Sequence, residues 1–354
     1  MPSASLVQQG LHALVLGACG AFIFYWLDLP LPWILGSMTA CAIFSLSGAR
    51  LAMPGLWRSS SLAMLGVLLG GGFTAETLHA VPNWWLTIVL MLVLSVIYLL
   101  FSNSVLKRWS GMSNLTRMFS AVPGGLAILS ALSELYDADT RRIALNHSAR
   151  LVSLLVLVPL VLSFAGEQHL SSSSRPVNAA HDFSWSHLVD YSLLLISAAS
   201  GPFLVRYIRF PLGILLFPFL FSALFHITGW VNLQLPFVVA ALAQVVLGAS
   251  VGIRFVGYSW RDILLDGWLS IVIGVMLAIL AALAAWLFSA WLALDFATLL
   301  LVFMPGGAAE MGVMAIALDI DPAMVATHHI LRVFAVVGGV SVVVSWFLPQ
   351  KKSQ

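Results

Sequence analysis

Long apolar runs, separated by short polar breaks, dominate this chain. Runs near 11–27, 31–48, 58–75, 83–104 and 142–164 each approach the roughly 17 to 25 residues that a helix needs to cross a bilayer. A second set lies near 189–206, 211–227, 236–255, 265–293 and 323–348. The stretch between the sets is polar, with four serines from Ser171 to Ser174 followed by Arg175 and Pro176, and it predicts an extramembrane linker. The expected organisation is a first membrane repeat at 1–165, a linker at 166–188 and a second repeat at 189–354.

Two further apolar stretches, 119–136 and 301–318, are interrupted by Pro123, Gly124 and Gly125 and by Pro305, Gly306 and Gly307. A helix does not run smoothly through such a triplet, because proline removes a donor and glycine loosens the backbone. At a shift of 182, Ala127, Asp137, Asp139, His147 and Arg150 also fall on Ala309, Asp319, Asp321, His329 and Arg332. Gly66, Gly70 and Phe73 match Gly248, Gly252 and Phe255 in the same register, so nearly the whole membrane part is duplicated.

Positive charge discriminates between two topologies, since cytoplasmic loops collect Lys and Arg. If the Pro-Gly-Gly stretches enter and return, one side holds Arg50, Arg58, Lys107, Arg108, Arg117, Arg141, Arg142 and six more from the second half, thirteen of the 16 basic residues. The other side then holds Arg175 alone, and Arg150 and Arg332 lie within spans. If the stretches cross, the same loop charges divide eight to six. The expectation is therefore an all-α polytopic membrane protein of two inverted repeats. Each has about five transmembrane helices and one re-entrant Pro-Gly-Gly segment, and both termini are cytoplasmic. Inverted repeats with broken helices are a recurrent plan of secondary transporters, and irregular backbone at membrane depth survives only beside protein or a water-filled cavity.

Composition agrees with a membrane protein. Hydrophobic residues make up 61% and charged residues 8%, against about 25% charged in soluble domains. A net charge of +2 offers no broad basic face for nucleic acid. Cys19 and Cys41 both lie in apolar runs and read as packing residues. The first ten residues carry no Lys or Arg, so the first run is expected to stay as an anchor.

The candidate chemistry centres on the repeated break. Pro123, Gly124, Gly125, Pro305, Gly306 and Gly307 would leave backbone N–H groups at the start of a short helix, a place that attracts anions. His147 with Arg150 and His329 with Arg332 are three apart, hence on one helix face. An intramembrane arginine is a functional candidate by default; these two either stabilise a bound charge or hold carbonyl ends of the re-entrant helices. Glu310, where the first half has Ile128, is placed to carry a coupling proton or to pair with an arginine. Asp139 and Asp321 read as helix caps, with ion or proton coupling as the alternative. His12, His79 and His226 are too scattered for a metal-dependent oxygenase. No metal, cofactor or enzymatic activity is expected.

In combination, Leu29-Pro-Leu-Pro-Trp-Ile-Leu-Gly36, the runs 65–70 and 247–252, and the two Pro-Gly-Gly segments followed by His-x-x-Arg resemble the AbrB-type membrane proteins of Gram-negative bacteria. The resemblance covers almost the entire chain. It departs at Phe210-Pro-Leu-Gly-Ile-Leu-Leu-Phe217, where the first half has Gly36. It implies a bacterial inner-membrane protein linked to regulation of gene expression. It also suggests kinship with transporters that pair five spans with one re-entrant segment per half. The family label of ammonia monooxygenase does not follow from these residues.

The expected function is secondary transport of a small anionic solute, with a membrane-embedded sensor or regulator as the alternative. The expected partners are the solute and the bilayer, with no direct nucleic-acid contact; a homo-oligomer is compatible with the sequence.

Overall fold

A computed structural model describes residues 4–124, 129, 133, 136, 138–166, 187–208, 210 and 212–347, with the side chains of 337 and 340–347 excepted. Every regular element among them is helical. The first repeat contributes α1 (Ala4–Trp26), α2 (Pro32–Leu46), α3 (Gly55–Gly70), α4 (Ala75–Ala80), α5 (Trp85–Trp109), α6 (Asn114–Ala121) and α7 (Thr140–Phe164). The second contributes α8 (Leu188–Leu204), α9 (Gly213–Ile227), α10 (Phe237–Gly252), α11 (Trp268–Leu292), α12 (Phe296–Phe303), α13 (Ala308–Ala317) and α14 (Pro322–Phe347). Each of the ten apolar runs contains a helix, and five continuous helical stretches among the described residues are long and apolar enough to cross a membrane.

The side chains sort as lipid demands. On α5 the buried residues Thr87, Met91, Ser95, Tyr98, Ser102 and Leu106 recur every three or four positions and form one stripe. Its exposed positions include Val89, Val93, Val96, Ile97 and Leu100. A helix that hides four of its five hydroxyls, all but Ser104, and exposes its valines is stable against hydrocarbon, not water. α11 repeats the pattern, with Ser270 and Gly274 buried and Ile279, Leu283 and Leu287 exposed. The architecture is that of a polytopic membrane protein.

The chain forms two compact units, and each draws on both sequence repeats. The first comprises residues 1–84, 165–257 and 308–326. Within it α1 and α2 are antiparallel: Cys41 Sγ meets the Ala13 carbonyl at 3.3 Å, and Gly20 packs on Gly36. Gly10 packs on Pro54 and Trp57, which puts the start of α3 at the same end as the start of α1. A Cβ at Gly66 would strike the Leu215 carbonyl, and one at Gly70 the Phe219 carbonyl, so α3 and α9 run closely in the same sense. The second repeat returns the contact, with Gly248 on Ile34 and Gly252 on Met38. Small residues permit this backbone approach where no water drives the helices together. Between the exchanged pairs, Ser61 donates to the Ala243 carbonyl at 2.6 Å across a separation of 182 residues, one full repeat.

The second unit comprises 85–164, 258–307 and 327–354. Here too the repeats exchange contacts. Asn146 on α7 accepts from Ser270 on α11, while its repeat counterpart His328 on α14 meets Thr87 Oγ1 on α5 at 2.8 Å. Gly274 lies against Ser153, so α7 and α11 also run in one sense. The Asp139 N–H donates to Thr116 Oγ1 at 3.0 Å, so the chain has come back to the start of α6 when α7 begins.

Candidate functional site

Both breaks are set by the same local chemistry. The residue before a proline is pushed out of the helical region, and Val122 (φ −59, ψ 129) and Met304 (φ −61, ψ 129) adopt nearly one conformation. Gly124 follows with φ +97, open to glycine at little cost. α6 and α12 therefore end abruptly, with carbonyls that have no helical donor.

The His-x-x-Arg pairs supply those donors. His147 Nε2 lies 2.9 Å from the Phe119 carbonyl, and His329 Nε2 lies 2.8 Å from that of Leu301, the counterpart of Phe119. Arg150 donates to the carbonyls of Ser120 at 3.0 Å and Val122 at 2.6 Å. Arg332 donates to that of Met304 at 2.7 Å and to that of Gly306. Each arginine also faces its own histidine Nδ1, at 3.2 Å for Arg150 and 2.8 Å for Arg332. A guanidinium can only donate, so Nδ1 accepts, Nε2 carries the hydrogen, and both imidazoles fit the neutral tautomer. A charged arginine at membrane depth costs about 3 kcal/mol; here it meets the negative end of a helix dipole and several carbonyl acceptors. The reading of the arginines as holders of carbonyl ends is thus what the geometry displays.

Two features go beyond holding. Arg332 is wholly buried, yet its Nε has no partner among the described residues. Arg150, at the other break, is nearly wholly buried as well. The carboxylates in contact ion pairs among the described residues face Arg141, Arg142 and His187, not these two arginines. Among the described residues neither arginine makes a contact ion pair with a carboxylate.

The remaining candidates divide. Pro123, Pro305 and Gly306 are buried at the breaks, Gly124 and Gly307 are half-buried, and Gly125 lies outside the described residues. Asp139 accepts from the Arg142 N–H at 3.0 Å and caps α7. Asp321 accepts from the N–H groups of Ala323 at 2.8 Å and Met324 at 3.3 Å and caps α14, ahead of Pro322. Glu310 sits in the first turn of α13, buried and within electrostatic reach of Arg254. Sequence reasoning missed Thr87, Ser270 and Tyr98, whose hydroxyl donates to the Phe303 carbonyl at 3.2 Å at the end of α12. Their signal was a hydroxyl inside an apolar run. Among the described residues no group of three metal-ligating side chains gathers.

Comparison with known proteins agrees with the motifs. The family model described as transition state regulatory protein AbrB matches residues 10–348. The chain is 25% identical over 356 residues to uncharacterized protein YhjN of Bacillus subtilis, covering 93% of this chain and 90% of that one. It is 27% identical over 320 residues to the putative regulator AbrB of Escherichia coli, covering 88% and 89%. On these grounds the chain belongs to the AbrB family of membrane proteins.

Proposed function

We propose that the protein is a secondary transporter of the bacterial inner membrane, not an enzyme, and that it moves a small anionic solute by alternating access. The observation that carries this reading is the pair of buried arginines at the two breaks, which make no contact ion pair with a carboxylate among the described residues. An anion near Pro123, Gly124 and Gly125 and near Pro305, Gly306 and Gly307 would balance their charge, and Arg332 Nε is a donor with no acceptor among the described residues.

Alternating access asks for two related halves of opposite orientation, and three observations support that arrangement. Loop charges fall thirteen to one. α3 shares the sense of α9, as expected for the third span of one repeat and the second of the other if the repeats are inverted. The return to Thr116 by Asp139 favours a re-entrant excursion between α6 and α7. Both termini then lie in the cytoplasm.

The printed name of the Escherichia coli relative favours a second reading, a membrane-embedded sensor that acts indirectly on gene expression. Thermal unfolding of the purified protein with a panel of small carboxylates and inorganic anions tests the shared premise. At least one should raise the melting temperature of wild type and not of Arg332→Gln. If none does, the anion reading fails.

A further inference from the structure

The hairpin of α5 and α6 carries basic side chains that the clamps at the breaks do not use. α5 ends in Lys107, Arg108 and Trp109, and after a turn at Gly111 (φ +61) Ser113 caps α6 by accepting from the Thr116 N–H at 3.3 Å. Half-buried Arg117, one turn into α6, reaches back across the hairpin and donates from Nε to Asn103 Oδ1 on α5 at 3.0 Å. Its guanidinium is thereby fixed. Both Nη groups, the planar edge that matches a pair of phosphate oxygens, are left without an acceptor among the described residues. Asn103 and Lys107 are four apart and share a face of α5, so the Lys107 side chain starts one turn from the fixed guanidinium. Among the described residues Lys107, Arg108 and Arg117 make no contact ion pair.

The apolar surface beside these cations says which anion fits. Val96, Ile97 and Leu100 are exposed on α5; Lys107 follows Leu100 by seven residues, and Lys107 and Arg108 follow Val96 and Ile97 by eleven. At 3.6 residues per turn the exposed stripe therefore ends in the two cations. Eleven residues rise about 16 Å, half the ~30 Å thickness of a hydrocarbon core. Trp109, 68% exposed, stands at the same end, as interfacial tryptophans do. An acyl chain lying along the stripe brings a phosphate to Lys107, Arg108 and Arg117; a free anion makes no use of the stripe.

The second repeat supplies an internal comparison. In its hairpin of α11 and α12 the equivalent places hold Ala285, Ser289, Ala290 and Leu299, and of the set only the tryptophan is kept, as Trp291. The hairpin fold itself thus needs neither the basic residues nor Asn103.

We propose that the hairpin of α5 and α6 binds one anionic phospholipid, with its headgroup phosphate held by Arg117, Lys107 and Arg108. Arg117 stands two residues before Phe119, whose carbonyl meets His147, and six before Pro123. A bound headgroup therefore steadies α6 and the break it leads to. The site is independent of what the breaks bind.

Native mass spectrometry of the full chain in detergent, titrated with phosphatidylglycerol or with zwitterionic phosphatidylcholine, tests this, with thermal unfolding alongside. Wild type should bind a first phosphatidylglycerol more tightly than phosphatidylcholine, and that lipid should raise the melting temperature. Arg117→Gln should weaken this first binding about fivefold, the worth of one basic residue at an anionic surface. Asn103→Ala changes no charge but releases the guanidinium, and should weaken it about threefold, the worth of one hydrogen bond. Arg261→Gln removes an exposed charge on another loop and should leave it unchanged. Equal binding of the two lipids overturns the proposal, as does an Arg261→Gln loss equal to that of Arg117→Gln, or no loss in Asn103→Ala. Inorganic phosphate that stabilises as well as the lipid assigns the cluster to a free anion and overturns the lipid. If Arg117→Gln does not fold, Asn103→Ala and the choice between lipids still decide.

Discussion

Arg150 and Arg332 stand one repeat apart, and their guanidinium groups grip carbonyls that also stand one repeat apart, Val122 at 2.6 Å and Met304 at 2.7 Å. Removing either donor orphans buried acceptors at roughly 1–3 kcal/mol each. Arg150→Gln and Arg332→Gln should both lower the melting temperature in detergent. A variant that melts with wild type shows that its clamp contributes nothing to stability.

The exchanged glycine contacts predict a second outcome. Gly70→Leu and Gly252→Leu drive a side chain into a backbone carbonyl of the partner helix, and overpacking costs about 1–3 kcal/mol or more. Both should reduce the yield of monodisperse protein on size exclusion. Gly55→Ala, with open space around it, should leave the yield unchanged.

The contacts of Asn146 with Ser270 and of His328 with Thr87 do one job with different side chains. Interhelical hydrogen bonds in membranes contribute about 0.6 kcal/mol, reaching about 1.7. Thr87→Val and Ser270→Ala should therefore each destabilise slightly. Denaturation that places either loss above that of Arg332→Gln would reverse the ranking of the contacts.

Much of this was legible in the sequence, because lipid imposes a plain rule. A run of apolar residues long enough to cross must be helical, and Pro-Gly-Gly must break it. The clamp was half legible: His147 and Arg150 share a face by spacing, but only packing reveals that the acceptors are carbonyls 28 residues back. For Thr87 and Ser270 the hydroxyl inside an apolar run is an insufficient signal, since a hydroxyl can return its hydrogen bond to its own helix, as Ser95 does to Met91.

Orientation has its own check. Single cysteines introduced near Arg142 and near Ser172, labelled in intact cells with an impermeant reagent, should report opposite sides of the membrane. Equal labelling from one side contradicts the inverted arrangement.

The most direct measurement of transport is uptake, into proteoliposomes, of whichever anion most stabilises the purified protein, with and without an imposed pH gradient. A transporter takes up the anion in step with the gradient, and Arg332→Gln abolishes that uptake. Tight binding with no flux under any gradient would contradict transport and leave the protein a sensor.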